Sequence, residues 1–323
     1  MSMRHSVASK PAEAVRRVFA DDVAYYLSLT PRQLPSRYLY DDLGSALFSS
    51  ICRLPWYEIA RTELRLLREH GTDIFRGVKP LSTLVELGPG GGEKLTTLLA
   101  VHPPSDLTLH LIDVSREALD IATCAIGSST AGRVVAHHAT YEEGLAEIGR
   151  SMRANGRMLM LFLGSNLGNF DPPDASAFLR TLRSSMVAGD ALLLGTDLVK
   201  PERELLLAYD DPLGVTAAFN RNLLVRVNRE LGADFDVTRF SHRAVWNASE
   251  SRVEMHLVSD RQQHVHVPAS NLDVTFDAGE MVWTESSYKY LAEGVPEMLQ
   301  PAGFVVSDQW VANGFALTLA EAR

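Results

Sequence analysis

The chain has little cysteine: two thiols, Cys52 and Cys124, in 323 residues. Two cysteines offer no disulfide framework and no metal-ligand spacing, so both are read as reduced thiols without a chemical role, and no metal is expected. Long apolar runs are missing as well. The run MLMLFL at 158–163 falls far short of the ~20 residues that a spanning helix needs. The opening MSMRHSVASKPAEAVRR carries basic residues but no apolar core of signal-peptide length, which points to a cytoplasmic chain without a membrane partner. Positive charge is in short supply: 31 Lys and Arg against 40 Asp and Glu leave a formal charge of -9 and a pI near 5.6. Phosphate-backbone binding rests on clustered cations, so no nucleic-acid partner is expected, and a small neutral or cationic ligand fits better. Repeats, low-complexity tracts and charge blocks are absent too, which leaves short loops as linkers. What remains, 46% apolar and 22% charged residues, is the composition of a globular protein of enzyme size.

From about residue 62 the pattern is an alternation. RTELRLLREHGTDIF has leucines at helical spacing, TLVELG reads as a buried strand, and EKLTTLLAVH as a helix. LTLHLIDVS, RVVAHHA and RMLMLFLGS are further strands, separated by the helices REALDIATCAIG and YEEGLAEIGRSM; ASAFLRTLRSSMVAGDALLLGTDLV adds another helix and strand. Near-continuous apolar strands between amphipathic helices predict an α/β fold with a doubly wound, mostly parallel sheet covered on both faces. After Lys200 the rhythm breaks into helices over 201–233 and alternating strands RVEMHLVS, QHVHVP and LDVTF, a second, inserted α+β subdomain. The tail, with helix VPEMLQPAG and strands FVVSDQWV and FALTLAE, is placed at the edge of the first sheet. The expected division is 62–199 with 288–323 for one domain, and 1–61 with 200–287 for the other.

TLVELGPGGGEK at 83–94 poses the first chemical question, because Glu86 stands two residues before the first of the glycines Gly88, Gly90, Gly91 and Gly92. A P-loop would place a hydroxyl after Lys94, and Leu95 is there instead. A dinucleotide fingerprint counted from Gly88 ends on Glu93, an acid where pyrophosphate would sit. Two acids beside the loop suit a cationic ligand without phosphates. S-adenosylmethionine is one: its sulfonium and ammonium are positive, and its passage close over backbone favours residues without Cβ. Asp113 ends the next strand, 23 residues after Gly90, where a carboxylate can accept both ribose hydroxyls. Thr140 and Tyr141 follow the third strand, in the place where an acid for the adenine amine would be expected. The fourth strand runs into LGSNLGNF, which puts Gly164, Ser165, Asn166, Gly168 and Asn169 beyond its carboxyl end, near the transferable methyl. A plain strand-to-helix turn is the alternative for the glycine loop, and an Asn/Gly turn for LGSNLGNF. His137 and His138 face opposite sides of a strand and find no third metal ligand; His264 and His266 share a face without an evident acid partner.

Several longer stretches settle on one family. RYLYDDLGSALFSSICRLPWYEIARTE at 37–63, LGSNLGNF, GTDLVK, AYDDPLGVTAAFNRNLL at 208–224, RVEMHL and TESSYKY closely resemble the L-histidine Nα-methyltransferases of ergothioneine biosynthesis, over nearly the whole chain from about residue 33. The resemblance implies a Rossmann-like class I methyltransferase domain with a histidine-binding domain, and three methyl transfers from S-adenosylmethionine to the α-amino nitrogen of histidine, through its mono- and dimethyl forms, to hercynine. It places the imidazole-binding acid on Glu285, its neighbouring hydroxyl on Ser287 and the ring-pocket methionine on Met255. Tyr57, Tyr209 and Asn169 fall where the family holds the amino acid's backbone, and Tyr40 where a tyrosine approaches the accepting amine, so Tyr40 and Asn169 are the catalytic candidates. Glu86, Gly88, Gly90, Lys94, Asp113, Tyr141, Gly164 and Ser165 are the cofactor candidates. Two departures bear on the cofactor contacts: the loop has more glycines than the family pattern, and Thr140 replaces its acid.

The implied chemistry is an in-line displacement that needs alignment and a neutral amine but no nucleophilic side chain. Two alternatives stay open: an N-methyltransferase for another aromatic amino acid, and a non-catalytic sensor of S-adenosylmethionine or histidine. A nicotinamide dehydrogenase is disfavoured by Glu93. A monomer is expected.

Overall fold

The computed structural model describes residues 12–101, 107–127, 132–150 and 156–323. The start of the chain, through residue 11, and the last residues of the predicted helices EKLTTLLAVH and YEEGLAEIGRSM lie outside them. Helix α1 (Ala12–Ser28), the short strand β1 (Arg32–Gln33) and helix α2 (Asp42–Ile51) come first. Asp41 caps α2 by accepting the Gly44 N–H at 2.8 Å. Helix α3 (Glu58–Gly77) starts a turn before the predicted leucine pattern. The alternation follows: β2 (Leu81–Leu87), α4 (Glu93–Val101), β3 (Thr108–Asp113), α5 (Arg116–Gly127), β4 (Arg133–His138), α6 (Tyr141–Arg150), β5 (Arg157–Phe162), α7 (Pro172–Ser184) and β6 (Ala191–Asp197). Helices α8 (Glu202–Tyr209) and α9 (Val215–Leu231) precede strands β7 (Phe240–Asn247), β8 (Arg252–Ser259), β9 (Gln263–Val267), β10 (Leu272–Phe276) and β11 (Met281–Tyr288). Helix α10 (Gly294–Leu299) and strands β12 (Phe304–Ala312) and β13 (Phe315–Ala322) close the chain.

The chain divides into two compact units. The first holds Ile59–Val199 and Lys289–Arg323 around a seven-stranded sheet of order β12-β13-β6-β5-β2-β3-β4. Strands β2 to β6 are parallel neighbours, and β13 runs antiparallel to both β6 and β12. The reversal has a local cause: β12 and β13 are joined by Asn313 and Gly314 alone, both with positive φ (43° and 66°), the two-residue turn that matches strand twist. Every residue of β6 is buried, as a strand covered on both faces requires. Phe162, Leu179, Leu192, Leu194, Leu299 and Phe304 belong to the core on one side. Strand β2 pairs with β3 on one edge and β5 on the other, so the winding direction reverses there, which places a ligand beyond the carboxyl ends of β2 and β5.

The second unit comprises 12–58 and Lys200–Tyr288. Its four-stranded sheet has the order β1-β11-β8-β7, and β9 and β10 form a separate antiparallel pair. Two of its strands, β7 and β11, have no sequence signal of alternation. In β7 only Phe240 is fully buried, and β11 slips register between Trp283 and Glu285, leaving Thr284 as an extra residue. The slip has a consequence for chemistry: Glu285 and Ser287 stand opposite Met255 and Val253, on one face of the sheet. Thr284 uses its hydroxyl to donate to the Met255 carbonyl at 3.0 Å, which holds the bulge. Helix α9 contributes a buried stripe of Phe219, Leu223, Leu224, Val227 and Leu231.

Leu193 lies in the middle of β6 with no exposed surface. Leu193→Ala should destabilise the protein by about 2–5 kcal/mol, read as a lower denaturant midpoint with an unchanged circular dichroism spectrum.

Candidate active site

In the first unit the site starts where β2 ends. Gly88 leaves the strand with φ +69°, its N–H donating to the Ile112 carbonyl at 2.9 Å. A Cβ on Gly88 would lie 2.8 Å from the Tyr141 hydroxyl and 3.3 Å from Asn166 Nδ2, so glycine is required for both the turn and the space. The loop after β5 has the same construction. Gly164 has φ +77°, and a Cβ there would fall 2.7 Å from Lys94 Nζ. Ser165 then takes a left-handed conformation (φ 57°), rare for a residue with a side chain, and its hydroxyl accepts the Asp197 N–H at 2.9 Å. Asn169 ends the single 3-10 turn Asn166–Asn169. Gly90, with φ +52°, borders open space.

The charged groups behave differently from their appearance in sequence. Glu86 is 1% exposed, and neither carboxylate oxygen has a hydrogen-bond partner among the described residues. Burial pushes its pKa up to about 8; the Lys94 ammonium opposes this, and the nearby Glu63 and Asp113 reinforce it. Where the sequence suggested a fixed negative charge beside the loop, burial in the cofactor-free protein favours the protonated carboxyl of Glu86 near neutral pH. Asp113, also raised by burial, accepts the Ser115 N–H at 2.8 Å at the start of α5. Tyr141 packs edge-on to Phe162 at 5.7 Å, and burial raises its hydroxyl pKa, so it forms a neutral wall.

Lys94 reaches a partner that sequence reasoning missed. Its ammonium lies 2.8 Å from Glu63, whose side chain has no exposure and whose two oxygens also accept the Gly164 N–H at 2.8 and 3.0 Å. The signal was present in α3: Glu63 sits in the helix's buried stripe with Ile59, Thr62, Leu66 and Leu67. A carboxylate in the apolar stripe of an amphipathic helix calls for a buried partner.

The second unit gathers its predicted residues into one cluster. Tyr40 meets Phe48 and Phe219 edge-on, each with centroids 5.5 Å apart; Phe48 meets Tyr57 at 6.2 Å, and Tyr57 meets Tyr209 at 6.4 Å. The Tyr209 hydroxyl donates to Ser287 Oγ at 2.8 Å. Glu285, two residues before Ser287 on the same strand face, is buried and directly opposite Met255, itself 1% exposed. The arrangement is a row of aromatic rings leading to a buried carboxylate, a hydroxyl and a thioether, which can hold a flat ring bearing an N–H.

The histidine pairs of β4 and β9 bond to neighbouring protein groups. His137 and His138 do face opposite ways: His137 is buried against His110 (2.9 Å) and Glu147 (3.0 Å), while His138 Nε2 lies 2.9 Å from the Val114 carbonyl. For His266 the sequence expectation is corrected, since Asp273 on the paired strand β10 lies 2.8 Å from its Nδ1; both are exposed. No group of three metal-ligating side chains occurs among the described residues.

The strand order, the reversed β13 and the glycine turn at the switch point define a Rossmann-like class I methyltransferase fold. Residues 19–322 match the model of a family described as histidine-specific, S-adenosylmethionine-dependent methyltransferases. The chain is 44% identical over 318 residues to the histidine N-alpha-methyltransferase of Mycolicibacterium smegmatis, covering 97% of this chain and 96% of that protein. The histidine N-alpha-methyltransferase of Mycobacterium tuberculosis is 43% identical, over 98% of this chain and 99% of its own. Ergothioneine biosynthesis protein 1 of Neurospora crassa is 26% identical over 90% of this chain, which spans 33% of that longer protein. The chain belongs to the histidine-specific, S-adenosylmethionine-dependent methyltransferase family. The residues of the first unit fit that cofactor on their own chemistry: an orphaned buried acid for a cation, and two positive-φ glycines where side chains would obstruct.

Because Glu86 in the folded protein is raised from 4.5 to about 8, the folded state binds the extra proton across that window. Stability should therefore fall as pH rises through it in the cofactor-free protein, with the full cost present above pH 8. Glu86→Gln, which cannot ionise, should flatten this slope; melting temperatures of both proteins at the two ends of the window check it.

Proposed function

We propose that this chain transfers three methyl groups in turn from S-adenosylmethionine to the α-amino nitrogen of L-histidine, giving hercynine for ergothioneine biosynthesis. The observation that carries the reading is the buried Glu285 facing Met255 across β11 and β8, in a chain so similar to histidine N-alpha-methyltransferases along its whole length. When bound, S-adenosylmethionine supplies an electrophilic methyl on a sulfonium. Glu86 balances positive charge beside the glycine turn, and Asp113 accepts from ribose hydroxyls. Glu285 accepts the imidazole N–H, with Ser287 beside it and Met255 against the ring. A phenylalanine or leucine side chain brings no N–H to the Glu285 carboxylate, and the loss of such a charge-assisted hydrogen bond discriminates against it. Tyr57 and Tyr209 hold the amino acid's backbone, Asn169 is assigned an amide contact to it, and Tyr40 stands beside the accepting amine, taking a hydrogen bond from its N–H in the first two transfers; the dimethylated amine has no N–H left to give. Such alignment contributes roughly 7–11 kcal/mol to barrier lowering in well-oriented reactions, so no nucleophilic side chain is needed.

The chain is proposed to act in the cytoplasm as a monomer on free histidine and its mono- and dimethyl forms. Its -9 charge supports the absence of a nucleic-acid partner, and no helix among the described residues is long and apolar enough to cross a membrane.

Incubation of the purified protein with S-adenosylmethionine and an equimolar mixture of amino acids should yield trimethylated histidine by mass spectrometry, and methylation of a different amino acid instead would overturn the assignment of the pocket. Glu285→Leu should lower kcat/KM for histidine about 10- to 150-fold, the equivalent of a charge-assisted hydrogen bond of roughly 1.5–3 kcal/mol, with S-adenosylmethionine affinity retained.

A further inference from the structure

Behind the Tyr209 side chain lies a hydrogen-bonded relay that the reaction does not use directly. Asn220, on α9, has no exposed surface, and its Nδ2 lies 3.1 Å from the His256 carbonyl and 2.9 Å from His242 Nδ1. The carbonyl fixes the amide's orientation, because turning it over would set oxygen against oxygen. Nδ2 therefore donates to His242 Nδ1, which must carry a lone pair. The imidazole proton is then on Nε2, which donates to the Tyr209 carbonyl at 2.8 Å. That carbonyl belongs to the last residue of α8, one of the groups a helix end leaves without an intrahelical partner.

The relay has one consistent protonation state. Burial holds His242 below its ordinary range, against the Tyr209 carbonyl and the carboxylates of Asp210 and Asp211, while Arg221 pushes the same way as burial. A cationic ring would present an N–H at Nδ1 to the Asn220 N–H.

We propose that Asn220 and His242 are positioning residues for the amino-acid site, acting through the Tyr209 carbonyl. They fix the end of α8, and with it the ring whose hydroxyl donates to Ser287 beside Glu285. The inference rests on the histidine reading of this unit. Its specific content is that the relay governs histidine affinity and leaves the methyl donor's affinity alone.

The test is steady-state kinetics on the full chain. His242→Leu should raise the KM for histidine about tenfold, as expected for one lost hydrogen bond and an unsatisfied carbonyl, with kcat and the S-adenosylmethionine Kd little changed. His242→Gln should restore the KM, since its amide can accept from Asn220 and donate to Tyr209 as the imidazole does. An unchanged KM in His242→Leu overturns the proposal, as does an equal loss of affinity for both ligands or a Gln variant no better than Leu. If His242→Leu does not fold, nitrogen-15 NMR of the wild type decides, with the His242 signals assigned by their absence from His242→Gln. A neutral ring protonated on Nε2, whose signals shift on saturation with histidine, supports the relay; a cationic ring, or no shift, overturns it. A wild type that neither binds nor methylates histidine would sink the functional reading itself, whereas an active wild type with an unaffected Leu variant sinks only the relay.

Discussion

The first unit is organised around one buried carboxylate. Glu63 draws together three parts of the chain: its own helix α3, Lys94 of α4, and the Gly164 N–H at the end of β5. Strand β6 is shaped to admit it, because a Cβ on Gly195 would lie 2.1 Å from Glu63 Oε1. Burying an ion pair yields little net stability, since desolvation offsets most of the attraction. Its effect is geometric. With the Gly164 N–H and the Lys94 ammonium both fixed, the chain after β5 has one course open to it, through a left-handed Ser165 whose hydroxyl is tied to the Asp197 N–H. Among the described residues, the same ammonium is the charge that eases ionisation of Glu86. Loop conformation and site electrostatics therefore share a single anchor.

In the second unit the corresponding anchor is Asp211. Its carboxylate accepts the N–H groups of Leu213, Val215 and Thr216 at 3.0, 3.2 and 2.7 Å, which satisfies the start of α9 and holds its pKa below the ordinary range. Fixing that helix start sets the register of Phe219, which packs against Tyr40, and of Asn220, which orients His242. The aromatic row and the polar relay thus descend from the same helix, one through van der Waals contact and the other through hydrogen bonds.

The parallel sheet was legible because strands covered on both faces must be apolar throughout, as the fully buried β6 shows. The smaller sheet was half legible. Strand β8 alternates cleanly over Val253, Met255 and Leu257, whereas the extra Thr284 in β11 shifts the period just before Glu285. The protonation of Glu86 could not be read, because a strand-end acid looks charged until its burial is known. Met255, Tyr57 and Tyr209 raise the converse difficulty. They are as buried as core residues, so periodicity alone assigns them to packing, and only the longer motifs around them pointed to a ligand.

The junctions between the units bear on how the protein is made. The chain leaves the first unit at Val199 and returns at Lys289, and there the outgoing and incoming segments lie side by side: Val199 N–H donates to the Tyr290 carbonyl, and Tyr290 N–H to that of Asp197. Lys289, the first residue back, forms a buried ion pair with Asp197 at 3.0 Å. On the ribosome, then, β6 waits with an open edge while residues 200–288 are synthesised. Exposed strand edges of this kind invite misassembly. Folding of the inserted unit, which ends at Tyr288, would close the long loop between Val199 and Lys289 before Lys289 and β13 emerge, leaving them less loop-closure entropy to overcome in reaching β6.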